Sequence, residues 1–167
     1  MTDLPALIGP EQVALMTGQV SIIVASRDAR LQPHLMRAAG CRVAPDRRRV
    51  TLLMPETSSA PVLDDLRASG RIAVVFTQPT TNRTLQLKGD DAVVGACGPD
   101  DDALAAQYLR GFVDEVGQLG FPALVAHTIV GQGEPRVAVH FSIAEAYDQT
   151  PGPGAGHALC AAAPVAR

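Results

Sequence analysis

The sequence predicts a mainly β fold with flanking helices, of the α+β class, in which antiparallel strands form a small barrel. Apolar runs rich in β-branched residues recur along the chain, and short polar turns connect most of them. Only two long segments have helical spacing, and each lies between strands. We therefore expect about six strands and two substantial helices in a single domain over residues 1–167, within the usual range of about 100–200 residues.

The first third of the chain predicts a short helix followed by three strands. The second strand contains Gly40, which we expect to form a bulge. The connections are short enough for the three strands to form an antiparallel meander. The helix covers residues 7–16, and the strands cover 19–28, 33–43 and 50–54.

The middle of the chain predicts a helix and then two more strands. Residues 55–70 have helical spacing, with Ser58 and Ser59 as N-cap hydroxyls and Gly70 as the C-terminal stop. An apolar strand over 71–78 follows, and a turn leads to a strand over 82–91 that would continue through residue 97.

The last third predicts the longest helix, a final strand and an irregular tail. Residues 98–120 begin with Pro99 and three aspartates, which suit the positive end of a helix dipole. Residues 136–149 alternate as a strand. From about residue 150 proline and glycine dominate, so no regular element is expected before Gly156.

Composition excludes several classes of function. A net charge of −3 argues against general attraction to nucleic acid or anionic membranes, and no apolar run approaches the roughly 18 residues of a membrane span. The N-terminus lacks the pattern of a signal peptide. Cys41, Cys97 and Cys160 are odd in number and far apart, which favours reduced thiols and a cytoplasmic location.

Motifs for several kinds of chemistry are missing from the sequence. The four histidines have no metal-ligand spacing with one another or with the cysteines, so no metal site is predicted. No glycine-rich phosphate loop follows a strand, and no serine lies in a nucleophile elbow. No catalytic residue is therefore assigned.

One strand combines an apolar side with an unusual polar side. Alternation over residues 82–91 places Thr84, Gln86 and Lys88 on one face and Leu85 and Leu87 on the other. Lys88 is the only lysine of the chain. An amide such as that of Gln86 both donates to and accepts from ring heteroatoms, so this face suits a polar ring.

Two further positions would suit the anionic part of such a ligand. Arg37 lies within the second strand, where a buried charge needs a partner. Ser58 and Ser59 start a helix, where hydroxyls and free N–H groups form anion sites. Together these residues suit a ligand with a phosphate and a flat polar ring.

Each feature also has an interpretation without a ligand. The polar face containing Lys88 would be the solvated side of an edge strand, on which lysine discourages aggregation. Ser58 and Ser59 would be plain helix caps, and Arg37 would be a surface arginine. Spacing alone leaves both interpretations open.

Residues 71–89, with an apolar strand, Pro79, a turn, Arg83 and a strand ending in Gly89, resemble the pyridoxamine 5′-phosphate oxidase-like family of FMN-binding split barrels. The resemblance extends from about Gly18 to Gly156 and depends on the order and spacing of segments. It implies a six-stranded antiparallel split β-barrel, and a homodimer with FMN sites in clefts at the subunit interface.

The resemblance also implies which residues hold the cofactor. Carried over by position, Arg37, Ser59, Gln86 and Lys88 would bind FMN, with Ser58 and Thr84 beside them. Residues Tyr147 to Thr150 would approach the cofactor of the partner chain.

Two departures from the family bear on function. Pro61 stands near the place of a family cation, and the cationic C-terminal substrate segment is missing. We therefore expect an FMN-dependent oxidoreductase acting on an unknown small molecule, and not a true vitamin B6 oxidase; a deazaflavin is the alternative cofactor. The alternatives in function are a non-catalytic module for flavin, deazaflavin or haem that works as a carrier or sensor, and a dimeric scaffold with an empty cleft.

Overall fold

A computed structural model of the chain describes residues 6–131 and 133–161. These residues form four helices and ten strands. The helices are α1 (Pro10–Met16), α2 (Ala60–Ser69), α3 (Asp101–Gln118) and α4 (Ala123–Val130). The strands are β1 (Ser21–Arg27), β2 (Pro33–Arg37), β3 (Cys41–Val43), β4 (Arg49–Pro55), β5 (Ile72–Thr77), β6 (Thr84–Gly89), β7 (Val93–Ala96), β8 (Arg136–Ser142), β9 (Glu145–Asp148) and β10 (His157–Ala161).

The strands form two antiparallel sheets. The six-stranded sheet has the order β10-β9-β6-β5-β1-β2, and the four-stranded sheet has the order β3-β4-β8-β7. Every pairing is antiparallel. The predicted α+β class, mainly β with flanking helices, is confirmed.

One hydrophobic core lies between the two sheets. Val24, Val74 and Leu87 enter it from the six-stranded sheet, and Leu52 and Val139 enter it from the four-stranded sheet. All five side chains are fully buried. The other face of the four-stranded sheet packs against α3, which buries a smaller cluster of Leu53, Ala105 and Ala138.

Three predicted strands each divide into two, so the strand count of six was too low. Residues 33–43 become β2 and β3, the run from 82 to 97 becomes β6 and β7, and 136–149 becomes β8 and β9. In each pair the first and second strands belong to different sheets. The chain therefore crosses from one sheet to the other within what the sequence presents as one apolar run.

The first crossing explains why the predicted meander does not form. The amide of Ala38 donates to Ile22 in the six-stranded sheet, at 3.1 Å, whereas the amide of Ala39 donates to Leu53 in the four-stranded sheet, at 2.7 Å. Consecutive residues thus bond to different sheets. Gly40 follows directly, where an added Cβ would lie 3.2 Å from the Leu53 side chain, so it marks the crossing and not a bulge within one strand.

The helices largely follow the prediction. Ser59 is the N-cap residue of α2, and Gly70 ends the helix in the left-handed region with φ 66°. Helix α3 covers Asp101–Gln118, within the predicted range 98–120. Helix α4 was not predicted; six of its eight residues are apolar, so its sequence lacks the broad polar face that indicates a surface helix.

The proline- and glycine-rich segment ends where the sequence indicated. Strand β10 begins at His157, directly after Gly156, and pairs with β9. The predicted tail beyond residue 161 lies outside the described residues. Among the residues described, none of the helices has both the length and the apolar character needed to cross a lipid bilayer.

Leu87→Ala should lower the free energy of unfolding by about 2–5 kcal/mol, because it empties part of the core between the sheets. The matched control is Leu124→Ala on α4, where the side chain is 73% exposed. That change should alter the free energy of unfolding by less than about 0.5 kcal/mol. Urea unfolding curves measure both values, and equal losses would contradict the placement of Leu87 in the core.

Candidate functional site

Strand β6 divides its side chains as the sequence predicted. Leu85 and Leu87 are 2% and 0% exposed and belong to the core. Thr84, Gln86 and Lys88 point away from the core and are half-buried. The apolar side of this strand therefore fixes the polar side on the opposite surface of the sheet.

We call this surface the outer face of the six-stranded sheet. The strand register arranges its side chains in rows. Residues directly opposite one another on neighbouring strands share a row, because their side chains lie on the same side of the sheet. The first row is Arg37, Ile23, Val75, Gln86 and Tyr147, and the second is Leu35, Ala25, Ala73, Lys88 and Glu145.

The middle of the outer face is apolar and its two sides are polar. Ile23 and Val75 lie between Arg37 and Gln86, and all of them are half-buried in the single chain. Arg37 and Gln86 are three strands apart, which corresponds to about 14 Å. The result is a flat apolar strip with a cation on one side and an amide on the other.

Lys88 does not present a free charge. Its ammonium lies 3.0 Å from the Glu145 carboxylate and 4.8 Å from the centre of the Tyr147 ring. The Tyr147 hydroxyl donates a hydrogen bond to the same carboxylate. Hydrogen bonds from Tyr147 and then from Lys88 lower the pKa of Glu145, and that carboxylate in turn raises the pKa of Tyr147.

Gln86 and Thr84 also have partners within the chain. The side-chain amide of Gln149 donates to the side-chain oxygen of Gln86 at 3.1 Å. The backbone amide of Thr84 donates to the Thr150 hydroxyl at 3.0 Å. The Thr84 hydroxyl lies 3.2 Å from that of Thr77. The segment from Tyr147 to Thr150 therefore lies along β6 of its own chain, where it bounds the outer face.

Arg37 has no carboxylate partner among the described residues. Its guanidinium donates to the neutral Ser21 hydroxyl at 2.6 Å. The neighbouring phenol of Tyr108 stays uncharged, because burial raises its pKa to about 12. Arg37 is thus the cation of the outer face that remains available to an anion.

The two serines lie apart from the outer face, at the start of α2. The amide and hydroxyl of Ser58 donate to the Glu134 carboxylate at 3.0 and 3.1 Å. Ser59 is 0% exposed, and its hydroxyl has no hydrogen-bond partner in the described structure. A carboxylate of the chain thus occupies the place predicted for an anion.

A Ser–Asp–His cluster fixes α2 to the six-stranded sheet. The Ser26 hydroxyl donates to the Asp65 carboxylate at 2.6 Å, and the His34 ring lies 2.8 Å from the same oxygen. Burial raises the pKa of Asp65, but these two hydrogen bonds outweigh it and lower the value. No hydrogen bond joins Ser26 to His34 in the described residues, so the cluster does not activate the serine.

Of the six candidates, four share the outer face: Arg37, Thr84, Gln86 and Lys88. Sequence reasoning missed Glu145, which lies 57 residues from Lys88 along the chain and meets it through the pairing of β6 with β9. No local pattern links the two residues. Within residues 6–131 and 133–161, no three His, Cys, Asp or Glu side chains are grouped as ligands for a metal ion.

Comparison with known proteins supports the fold. No model of a known protein family matches the sequence, and no curated protein matches it. Among solved structures, tagged HupZ of Group A Streptococcus is similar over 89% of this chain and 99% of its own, with a TM-score of 0.54 and 18% identity.

A second solved structure carries the family name that the sequence suggested. It is a Lactobacillus delbrueckii protein provisionally assigned as a pyridoxamine 5′-phosphate oxidase, with a TM-score of 0.52 and 14% identity. The match covers 84% of this chain and 93% of that one. The chain therefore has the fold of pyridoxamine 5′-phosphate oxidase-like proteins, as the resemblance implied.

Tyr147→Phe should raise the pKa of Glu145 toward its ordinary value of 4.5, because it removes the largest cause of the lowered value. The native pKa is lower in the folded chain, so the carboxylate stabilises the fold above the unfolded pKa. That contribution is lost as the pH falls through the folded pKa. Carboxyl-carbon NMR titration measures the shift.

The matched control for this prediction is Tyr108→Phe, which removes a hydroxyl that is not among the groups that shift the pKa of Glu145. It should leave the Glu145 titration unchanged. An identical titration in the native protein and the Tyr147→Phe variant would contradict the hydrogen bond between Tyr147 and Glu145.

Proposed function

We propose that this protein binds FMN on the outer face and is a cytoplasmic oxidoreductase of the pyridoxamine 5′-phosphate oxidase-like group. The observation that carries the proposal is the apolar strip of Ile23 and Val75 between the Arg37 guanidinium and the Gln86 amide. A fused aromatic ring with a polar edge and an anionic tail matches each part of that arrangement.

The strip suits the ring of a flavin. Ile23, Ala25, Ala73 and Val75 present small or branched apolar side chains to one side of the sheet, against which a flat ring buries its face. The Gln86 amide lies at the border of the strip and has hydrogen-bonding capacity for ring heteroatoms. A deazaflavin ring would use the same surface.

Charge balance assigns the phosphate to Arg37. Glu145 already neutralises Lys88, whereas among the described residues Arg37 donates only to the neutral Ser21 hydroxyl. A phosphate gains most from a cation without another anionic partner. Ser58 and Ser59 would contribute only if the Glu134 carboxylate moved away from the start of α2, so we assign them a secondary role.

When bound, the flavin would supply the redox chemistry. The chain's own residues would bind and orient it: Arg37 holds the anionic end, Gln86 and Gln149 border the ring, and the Lys88–Glu145 pair keeps the neighbouring charge near zero. The substrate would be a small molecule that reaches the exposed side of the ring.

We further propose that a second copy of the chain covers the outer face. Half-buried Ile23 and Val75 leave apolar surface open in a single chain, and burial of such surface drives association. An isologous homodimer would enclose the cofactor between two outer faces and exclude water from it.

A non-catalytic flavin carrier is the second candidate, favoured by one observation. Glu145 and Tyr147 are the only Asp, Glu, His, Cys or Tyr residues in the two rows of the outer face, and they are hydrogen-bonded to each other. Neither is a free acid or base for catalysis. Steady-state reduction of bound flavin by NADH or NADPH, with re-oxidation by an added acceptor, distinguishes the enzyme from the carrier.

Arg37→Gln should weaken FMN binding by about tenfold or more and leave riboflavin binding nearly unchanged, because the two flavins differ only in the phosphate. Lys88→Ala should change both affinities by the same factor, since in this proposal Lys88 would lie beside the ring and not beside the phosphate. Titrations monitored by flavin fluorescence give the Kd of each variant relative to the native protein, for FMN and for riboflavin, which makes four ratios.

Arg67→Gln is the matched control, because this exposed arginine on α2 pairs only with Asp64. It should leave both affinities unchanged. Failure of the native protein to bind either flavin at micromolar concentration would refute the proposed function. An equal loss of FMN and riboflavin binding in Arg37→Gln would refute the assignment of the phosphate to Arg37.

Val75→Glu should produce a monomer and abolish FMN binding, because it places an unpaired carboxylate in the middle of the apolar strip. The control is Val93→Glu on the four-stranded sheet, where the native side chain is 63% exposed. Sedimentation velocity measures the oligomeric state. A native protein that sediments as a monomer at micromolar concentration would contradict the dimer.

A further inference from the structure

A cavity of about 560 Å³ lies at one end of the outer face. It opens where β1 ends, β5 begins, β6 ends and β9 begins. We call it the end cavity, and the side chains that define it are Arg27, Leu31, Pro33, Arg71, Lys88 and Glu145. The proposed cofactor site accounts for Lys88 and Glu145, and it shares Ala25 and Ala73 with the end cavity.

Two arginines line this cavity. Ala25 on β1 pairs with Ala73 on β5, where the pairing of the two strands ends. Arg27 lies two residues beyond Ala25, at the end of β1, and Arg71 lies two residues before Ala73, directly before β5. Two cations that line one cavity repel each other, so an anion between them would lower the electrostatic free energy.

No carboxylate neutralises either arginine among the described residues. Arg27 donates only to the backbone carbonyl of Asp28, at 3.4 Å, and Arg71 forms no ion pair there. The Asp28 carboxylate instead accepts the amides of Arg30 and Gln32, both at 2.8 Å. The Asp28 carboxylate therefore forms no ion pair with Arg27 among the described residues.

The other charged groups of the end cavity leave it net positive. Lys88 and Glu145 neutralise each other at 3.0 Å. Asp90 also lines the cavity, but it forms no ion pair with Arg71 in the described structure. Against the two arginines there is thus one free carboxylate, which leaves an excess of one positive charge.

We infer that Arg27 and Arg71 bind the carboxylate or phosphate group of a second ligand, which is the substrate of the proposed flavin reaction. The identification of this ligand as a substrate rests on the proposed function, but the anion site itself follows from the two arginines. Planar guanidinium groups bind carboxylate and phosphate through two parallel hydrogen bonds, so two arginines in one cavity suit such a group well.

The surroundings of the arginines define the rest of this ligand. Leu31 is 64% exposed and, with Pro33, forms an apolar wall at the cavity. Arg27 lies four residues beyond Ile23 on β1, a distance of about 13 Å, with the Ala25 and Ala73 row between them. A small molecule with an apolar body would therefore extend from the arginine pair toward the strip proposed for the ring.

The test uses inorganic phosphate as the probe and thermal unfolding of the flavin-free protein as the readout. Phosphate should raise the Tm of the native protein relative to chloride at equal ionic strength, because it binds the folded state. Arg71→Gln and Arg27→Gln should each weaken phosphate binding by about tenfold or more. Arg110→Gln on α3, which removes an exposed arginine outside the end cavity, should retain the full phosphate effect.

A second readout distinguishes an anion site from a structural role. In chloride without phosphate, Arg71→Gln should raise the Tm, because it removes one of two like charges that line the same cavity. A lower Tm for this variant in chloride, or an equal phosphate effect in the native protein and both arginine variants, would overturn the inference. Absence of any phosphate-specific effect in the native protein would also overturn it.

The same variants identify the source of the anion. Arg71→Gln should leave the ratio of FMN to riboflavin affinity unchanged, because the phosphate of FMN is assigned to Arg37. A selective loss of FMN affinity would show that the pair holds the cofactor's phosphate, and the inference of a second ligand would fail. If neither flavin binds but phosphate still stabilises the native protein more than it stabilises Arg71→Gln, the proposed function fails and the anion site stands.

Discussion

One core shared by two antiparallel sheets requires alternate residues of each strand to point inward. Leu85 and Leu87 satisfy this requirement on β6, and the residues between them are then fixed on the opposite surface. A shift of one residue would place Gln86 and Lys88 in the core at a large cost in free energy. The outer face is therefore a direct consequence of core packing.

The parts of the fold that depend on local chemistry could be predicted from the sequence. Alternation identified β6, and Gly70 in the left-handed region ended α2 where expected. The crossings between sheets could not be predicted, because an apolar run has the same composition on both sides of a crossing. At Ala38 and Ala39 the change depends on which sheet each amide bonds to, and that is settled only by tertiary pairing.

The same division applies to the candidate site. Sequence identified the residues that project from one strand, since their spacing is local. It missed the carboxylates that reach them, since Glu145 and Glu134 come from distant segments brought close by folding. Both carboxylates lie beside groups predicted to bind an anion, Lys88 and Ser58. The capacity of such groups to bind an anion can therefore be judged only after the neighbouring carboxylates are known.

Separation of inward and outward positions also explains how the fold persists at 18% and 14% identity with other solved structures. Inward positions need only apolar side chains of suitable volume, so many sequences fill the same core. Outward positions carry no such requirement and are free to vary with the ligand. Arg27 and Arg71 are exposed and line the end cavity without an ion pair among the described residues, so core packing does not account for them. Two unpaired cations at positions that are free to change fit the anion site inferred for this cavity, because a neutral residue at either position would satisfy the core equally well.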